Sequence, residues 1–189
     1  MKGCLPFCSN FLSTFTPHHA RNLQYDFRIE ASGVLKSWAV PKGLSTNPKV
    51  KRLAMAVEDH PLDYANFEGV IPEGQYGGGT VMVWDRGTYE PENGEQVGAL
   101  IKKGELKLKL KGKKLKGSWV LVRTRYRNSL LIKHRDHYAS EDELTETSPT
   151  SVLTRRTLAE IASQEGNRCH HPQPRPSKAH QLPVSRVHL

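Results

Sequence analysis

Leu23-Gln24-Tyr25-Asp26-Phe27-Arg28-Ile29 alternates apolar and polar residues without a break. Successive side chains of a strand point to opposite faces, so a strict period of two marks a half-buried β-strand. Leu23, Tyr25, Phe27 and Ile29 form a core face, and Gln24, Asp26 and Arg28 share the other. That second face is either a solvated surface or a site. His18 lies just upstream, where the entering chain can bring an imidazole near Asp26. An imidazole, a side-chain oxygen and a carboxylate make a mixed nitrogen and oxygen donor set of the kind that suits Mn2+, Co2+ or Zn2+ with open positions. Arg28, one step further along the face, is placed to hold an anion beside such an ion.

The same periodicity recurs downstream. Thr80-Val81-Met82-Val83-Trp84 alternates loosely, and Glu105 to Leu110 strictly, with Leu106, Leu108 and Leu110 opposite Lys107 and Lys109. Gly112-Lys113-Lys114 reads as a turn into Trp119-Val120-Leu121-Val122, and Ser129 to Lys133 is a further short strand. Glycine and proline punctuate these runs at short intervals, and no long stretch has helical period, which predicts a mainly β fold. Thr157-Leu158-Ala159-Glu160 has the spacing of a capping box and predicts a short helix. The expected organisation is an N-terminal arm over residues 1–17, partly disordered, and a folded body over 18–139. A linker with a short helix comes next over 140–163, and then a disordered tail rich in proline and histidine over 164–189.

The formal net charge of +9 favours polyanions as partners, nucleic acid above all. No apolar run approaches the ~18 residues of a membrane span, so no membrane association is expected. Pro6, Ser9 and Asn10 interrupt the apolar N-terminal stretch, against a signal peptide. Three cysteines without metal-knuckle spacing argue against a disulfide framework and suit a reducing cytoplasm. Eight lysines fall between Lys102 and Lys116; Lys107, Lys109 and Lys111 among them are candidates to track a phosphate backbone, or are the wet face of an edge hairpin. The segment Glu58 to Gly79 holds His60 and Tyr64 before a glycine-rich stretch. The β-like sequence after Gly79 makes that stretch a tight hairpin rather than a phosphate cradle, which needs a helix N-terminus.

Together, HHARNLQYDFRIEASGVLKSWAVPKG from residue 18, RLAMAVEDHPLDYANFEGVIPEGQYGGGTVMVWDRGTYEP from residue 52, LKGSWVLVRT and LLIKHRDHYA resemble one family, the 3′-phosphoesterase domain of bacterial DNA ligase D and its free-standing relatives. The resemblance runs in order from about residue 18 to 139, and Ser151 to Leu158 resembles the segment just after this domain in the ligases. It implies a compact antiparallel β barrel with a few short helices and an active site in a crescent groove. It also implies trimming of ribonucleotides and removal of phosphate at 3′ ends, with Mn2+ or a similar ion (Co2+, Zn2+) as cofactor. The family's metal-binding histidine and aspartate fall on His18 and Asp26, its phosphate-binding arginine on Arg28, and its functional lysine and arginine on Lys42 and Arg52. Its second functional histidine and its tyrosine fall on His60 and Tyr64.

One position departs: Gln24 stands where the family has a third metal-ligand histidine, and an amide oxygen is the poorer donor. Residues 1–14 also differ from the polar segment that leads into the family's first strand. The expected function is therefore a metal-dependent 3′-ribonucleoside phosphodiesterase and 3′-phosphomonoesterase in DNA end repair, acting as a cytoplasmic monomer on DNA or RNA-primed DNA 3′ ends. A DNA ligase or polymerase and an end-binding repair protein are the expected partners. The alternative is a module that binds nucleic-acid ends without cutting them, because of Gln24.

Overall fold

The computed structural model describes residues 9–17, 23–72, 78–125 and 128–165. They form nine strands: β1 (Ser9–Pro17), β2 (Leu23–Ala31), β3 (Val34–Val40), β4 (Lys51–Ala56), β5 (Gly69–Ile71), β6 (Gly79–Pro91), β7 (Glu105–Gly112), β8 (Lys116–Arg123) and β9 (Ser129–Lys133). Three short helices join them: α1 (Val97–Lys103), α2 (Leu144–Thr147) and α3 (Leu158–Glu165), with a 3-10 turn at Leu62–Asn66. The strands run in the order β1-β2-β3-β4-β9-β8-β7-β6-β5, and β1 also pairs with β6. Every ladder is antiparallel. The fold is thus mainly β with few helices, as the alternation predicts.

The β2–β3 hairpin shows how local sequence fixes register. Ala31 pairs with Val34 across Ser32 and Gly33, both in the left-handed region at φ 56° and 79°. Two such residues give the tight turn whose twist matches the flanking strands. That turn sets Phe27 opposite Trp38 and Arg28 opposite Ser37. Further along the sheet, β6 and β7 approach so closely at Gly87 that a Cβ there would lie 2.3 Å from the Lys111 carbonyl oxygen.

The main core contains Tyr25, Phe27 and Ile29 of β2, Trp38 of β3, Trp84 of β6, and Leu106, Leu108 and Leu110 of β7. The expected core faces of β2 and β7 are therefore the observed ones. In β6, Val81, Met82, Val83 and Trp84 are all buried, which explains its loose alternation. Met82 and Trp84 belong to the main core, while Val83 joins Leu35 in a second cluster with Tyr64, Ala65, Val152 and Leu153.

Residues 140–163, expected as a linker, pack against the sheet. Ile161 of α3 is fully buried in the main core. Trp84 Nε1 donates to the Ser148 carbonyl at 2.6 Å. Lys114 Nζ donates to the carbonyls of Ser148 and Thr150 at 2.8 and 2.6 Å and lies 4.5 Å from the centre of the Trp84 ring. Burial pushes the Lys114 ammonium down to about 8. Part of the segment is exposed, as at Glu141, Asp142 and Glu146, while its backbone also satisfies buried polar groups of the sheet. The predicted capping box forms at the start of α3: the Glu160 carboxylate accepts from Thr157 N at 2.7 Å. Among the described residues no helix is long and apolar enough to cross a membrane.

If α3 is part of the body, Ile161→Ala should lower unfolding free energy by about 2–5 kcal/mol. Urea titration followed by tryptophan fluorescence would measure it, and an unchanged midpoint would return α3 to the status of an appendage.

Candidate functional site

The polar face of β2 is not solvated. The side chains of Asp26 and Arg28 are only 11% and 7% exposed, and Arg28 Nη2 donates to Asp26 Oδ2 at 2.9 Å. Two charges removed from water are expensive unless they are paired and fully bonded. The pairing is present, but Arg28 Nε is buried without a partner. A buried guanidinium N–H without a partner leaves the pair incompletely bonded, which is costly.

His60 reaches this face through backbone pairing. Beyond β4 the chain continues beside β3: Val57 N donates to the Ser37 carbonyl at 3.0 Å, and Leu35 and His60 exchange two backbone bonds of 2.8 and 2.9 Å. The Leu35–His60 bridge puts the imidazole on the same side as Ser37 and Arg28. Ser37 Oγ donates to the Leu35 carbonyl at 3.1 Å, and its oxygen lies 3.0 Å from His60 Nδ1. His60 is thus held by the Ser37 hydroxyl at Nδ1 and by a further hydrogen bond to the Glu58 backbone, and the roles of the two ring nitrogens follow from the tautomer. Burial pushes the His60 pKa below the usual imidazole value, and the neighbouring Arg28 pushes it the same way; the Asp26 carboxylate opposes them. Tyr64, one turn further on in the 3-10 turn, meets the His60 ring edge to face at 5.9 Å between centres.

Asp26, Arg28, His60 and Tyr64 are therefore brought together. Gln24 is half-buried on the Asp26 face of β2, and Lys42 is exposed in the turn after β3. His18 lies outside the described residues. Arg52 goes elsewhere: it shares a face of β4 with Ala54, which is in the main core, and its Nη2 donates to Glu143 Oε1 at 2.7 Å. Arg52 Nε is also buried without a partner. Tyr25 faces the same cluster, its phenol raised by burial and partly restored by a bond to Thr145. Ser37 carries no signal in the sequence; only the register of β2 against β3 reveals it.

A cavity of about 710 Å3 opens beside β3, lined by Lys36, Ser37, Trp38, Asp59, Leu121 and Arg123 among others. Asp59 pairs there with Lys36 at 2.5 Å, while its neighbour His60 faces the site. None of Asp26, Arg28, His60 and Tyr64 lines that cavity, so its size does not mark it as the seat of the chemistry. Among the described residues no group of three or more histidine, cysteine, aspartate or glutamate side chains is arranged to hold a metal.

The lysine row is locally neutralised in part. Lys107 pairs with Glu105 at 2.9 Å, and Lys111 with Glu90. Lys109 is exposed on the same strand, opposite Glu90 in the ladder.

The fold and this face define a mainly antiparallel β protein with a buried carboxylate–guanidinium pair beneath a histidine and a tyrosine. The family model of the DNA Ligase D 3′-phosphoesterase domain matches residues 16–123, and the chain belongs to that family. It is 50% identical over 148 residues to the multifunctional non-homologous end joining protein LigD of Pseudomonas aeruginosa, covering 75% of this chain and 17% of that protein. It is also 50% identical over 107 residues to the multifunctional non-homologous end joining DNA repair protein LigD of Mycobacterium tuberculosis, covering 57% of this chain and 14% of that protein. The chain thus spans less than a fifth of the length of these relatives.

The burial of the pair and the partial neutralisation of the lysine row can each be checked. Asp26→Ala should cost about 3–5 kcal/mol, because it strands the Arg28 charge in a buried setting, whereas Asp26→Asn should cost less. Chemical denaturation in chelator separates the two, and a wild-type midpoint for Asp26→Ala would show that the pair is solvated. Changing Lys107, Lys109 and Lys111 together to Ala should flatten the salt dependence of duplex binding by nearer one phosphate than three, at about 0.9 per phosphate neutralised. A slope unchanged by the triple variant would make the row a solvated edge alone.

Proposed function

We propose that this chain is a metal-dependent phosphoesterase that processes 3′ ends in DNA end repair, removing 3′-phosphates and 3′-ribonucleosides. The observation that carries this reading is the buried Asp26–Arg28 pair with an unused Arg28 N–H, lying beneath His60. Membership of the 3′-phosphoesterase family supports it. The pairing of β1 with both β2 and β6 supports reading the sheet as a closed barrel.

The donor set fits a borderline divalent ion. Only Asp26 Oδ2 takes the Arg28 bond, which leaves Oδ1 as a donor, and the Gln24 amide shares its face. With His18 these would hold Mn2+, Co2+, Zn2+ or a similar ion. Such an ion supplies Lewis acidity at a phosphoryl oxygen and lowers the pKa of bound water. The chain's own residues do the rest. Arg28 neutralises charge that grows on the phosphoryl oxygens. His60, held by Ser37 through Nδ1, presents Nε2 to accept a proton or return one to the departing oxygen. Tyr64 orients the imidazole or the phosphate. Lys42, on its exposed turn, meets the nucleic-acid strand beyond the reacting phosphate. Arg52 acts at a distance, through Glu143 and the position of β4.

DNA or RNA-primed DNA 3′ ends are the proposed substrates, with a DNA ligase or polymerase and an end-binding repair protein as partners. Gln24 favours a second reading, an end-binding module without hydrolysis, since an amide is a weaker ligand than imidazole.

The test is phosphate release from a 3′-phosphorylated oligonucleotide against Mn2+ concentration, for the wild type and Gln24→His at pH 7.5. Release should need added metal and fall by about 100-fold or more in His60→Ala. Gln24→His should be more active at limiting metal by ~10-fold, converge at saturation, and lose its advantage below about pH 6, where the new imidazole protonates. Identical curves would remove Gln24 from the ligand set. Flat curves for both proteins, with intact binding of ends, would favour the second reading.

A further inference from the structure

Glu68 lies four residues beyond Tyr64, at the entrance to β5, and its side chain is 4% exposed. Its carboxylate collects bonds from two distant parts of the chain. Oε1 accepts from Val83 N at 2.9 Å and from the Ser151 hydroxyl, and Oε2 from the Thr154 hydroxyl at 2.7 Å. The Arg156 guanidinium stands 3.8 Å away. Val83 needs this partner. Val83 stands opposite Thr14 of β1, but on its other edge β6 pairs with β5 as far as Val81 and with β7 only from Gly87, so on that edge Val83 falls in the interval between them. Glu68 takes the Val83 N–H, and Val152 N donates to the Val83 carbonyl at 3.1 Å.

The segment so captured is a tight strap. Ser151 N donates to the Arg156 carbonyl and Arg155 N to the Ser151 carbonyl, while the Ser151 hydroxyl oxygen accepts from Leu153 N and Thr154 N. Its apolar residues, Val152 and Leu153, pack with Tyr64 and Ala65 over Leu35 and Val83. Leu35 is also the residue whose backbone holds His60. Tyr64 and His60 thus rest on one small cluster whose outer wall is the strap, and Glu68 fixes the strap. All of residues 151–156 lie beyond the stretch matched by the family model, which ends at residue 123.

We propose that Glu68 is a positioning residue: through it, residues 151–156 hold Tyr64 and His60 in place above the Asp26–Arg28 pair. The inference rests on the phosphoesterase reading for its consequence in rate, but not for its geometry. Glu68→Gln keeps the bonding, since an amide oxygen can accept from Val83 and Ser151 while its NH2 donates to the Thr154 hydroxyl. Glu68→Ala removes all of it.

The experiment compares wild type, Glu68→Gln, Glu68→Ala and the milder Thr154→Val in the full chain, by amide hydrogen exchange and by phosphate-release kinetics with Mn2+. Exchange should accelerate at residues 60–67 in Glu68→Ala, and less so in Thr154→Val, with β8 and β9 unchanged. Because a small misplacement of a reacting group can cost about 100-fold, kcat should fall by that order in Glu68→Ala with KM little altered, and Glu68→Gln should restore most of it. Unchanged exchange at 60–67 in both weakened variants, or acceleration spread evenly over the sheet, would overturn the proposal; should Glu68→Ala not fold, Thr154→Val decides it alone. A wild type that releases no phosphate would sink the phosphoesterase reading while the exchange comparison still decides the positioning of Tyr64.

Discussion

The Asp26–Arg28 pair is the constraint around which the molecule is arranged. β2 sends Tyr25, Phe27 and Ile29 into the main core, so the pair occupies the only other face a strand has. An antiparallel sheet commonly leaves that face in water. Here it is dry, and a dry ion pair seldom adds stability, because the desolvation of both charges can exceed their attraction. The chain from Val57 to His60 runs beside β3 and brings the imidazole to the side of the pair. The small second cluster in turn packs on Leu35, whose backbone holds His60, and includes Tyr64.

Charge is distributed by structural need more than by sequence neighbourhood. The surplus of +9 suggests a broad basic surface, yet several of its cations are engaged internally. Lys133 is fully buried against Asp136 and over the Trp119 ring, and Lys114 is bound by two carbonyls. Arg52 comes soon after Lys42 in sequence, but strand parity turns it to the core side of β4, where Glu143 meets it. Net charge therefore supports an affinity for polyanions in general and says little about where the chain would touch one.

Legibility in the sequence tracks how much of each feature is local. The faces of β2 and β7 can be read because each strand has one core face and a regular period; β6 blurs because both its faces are buried. Asp26, Arg28, His60 and Tyr64 are joined as a group in the sequence only by the family resemblance, since each motif alone is a weak signal. Their meeting cannot be derived from spacing, since it depends on the Leu35–His60 bridge between segments that are distant in sequence. Ser37 and Glu68 are invisible for the same reason: each is an ordinary polar residue until its long-range partners are known. The strap reads as part of a linker because polar residues signal solvent in a sequence, whereas here Ser151 and Thr154 donate to the buried Glu68 carboxylate and the Val152 N–H completes the bonding of Val83.

Position 24 bears on the same buried pair. The Asp26 carboxylate is already shared with Arg28, so before any ion binds, the two charges nearest each other cancel. On the proposed reading a divalent cation must then draw on one remaining carboxylate oxygen, on His18, and on whatever stands at position 24. An imidazole there would donate strongly but only when deprotonated, making metal occupancy depend on pH near neutrality. The Gln24 amide donates weakly but does not titrate. On that reading, replacing one by the other exchanges affinity for independence from pH, beside a His60 whose pKa is lowered by burial and by Arg28. Position 24 places an uncharged side chain on the face of a carboxylate already bonded to Arg28.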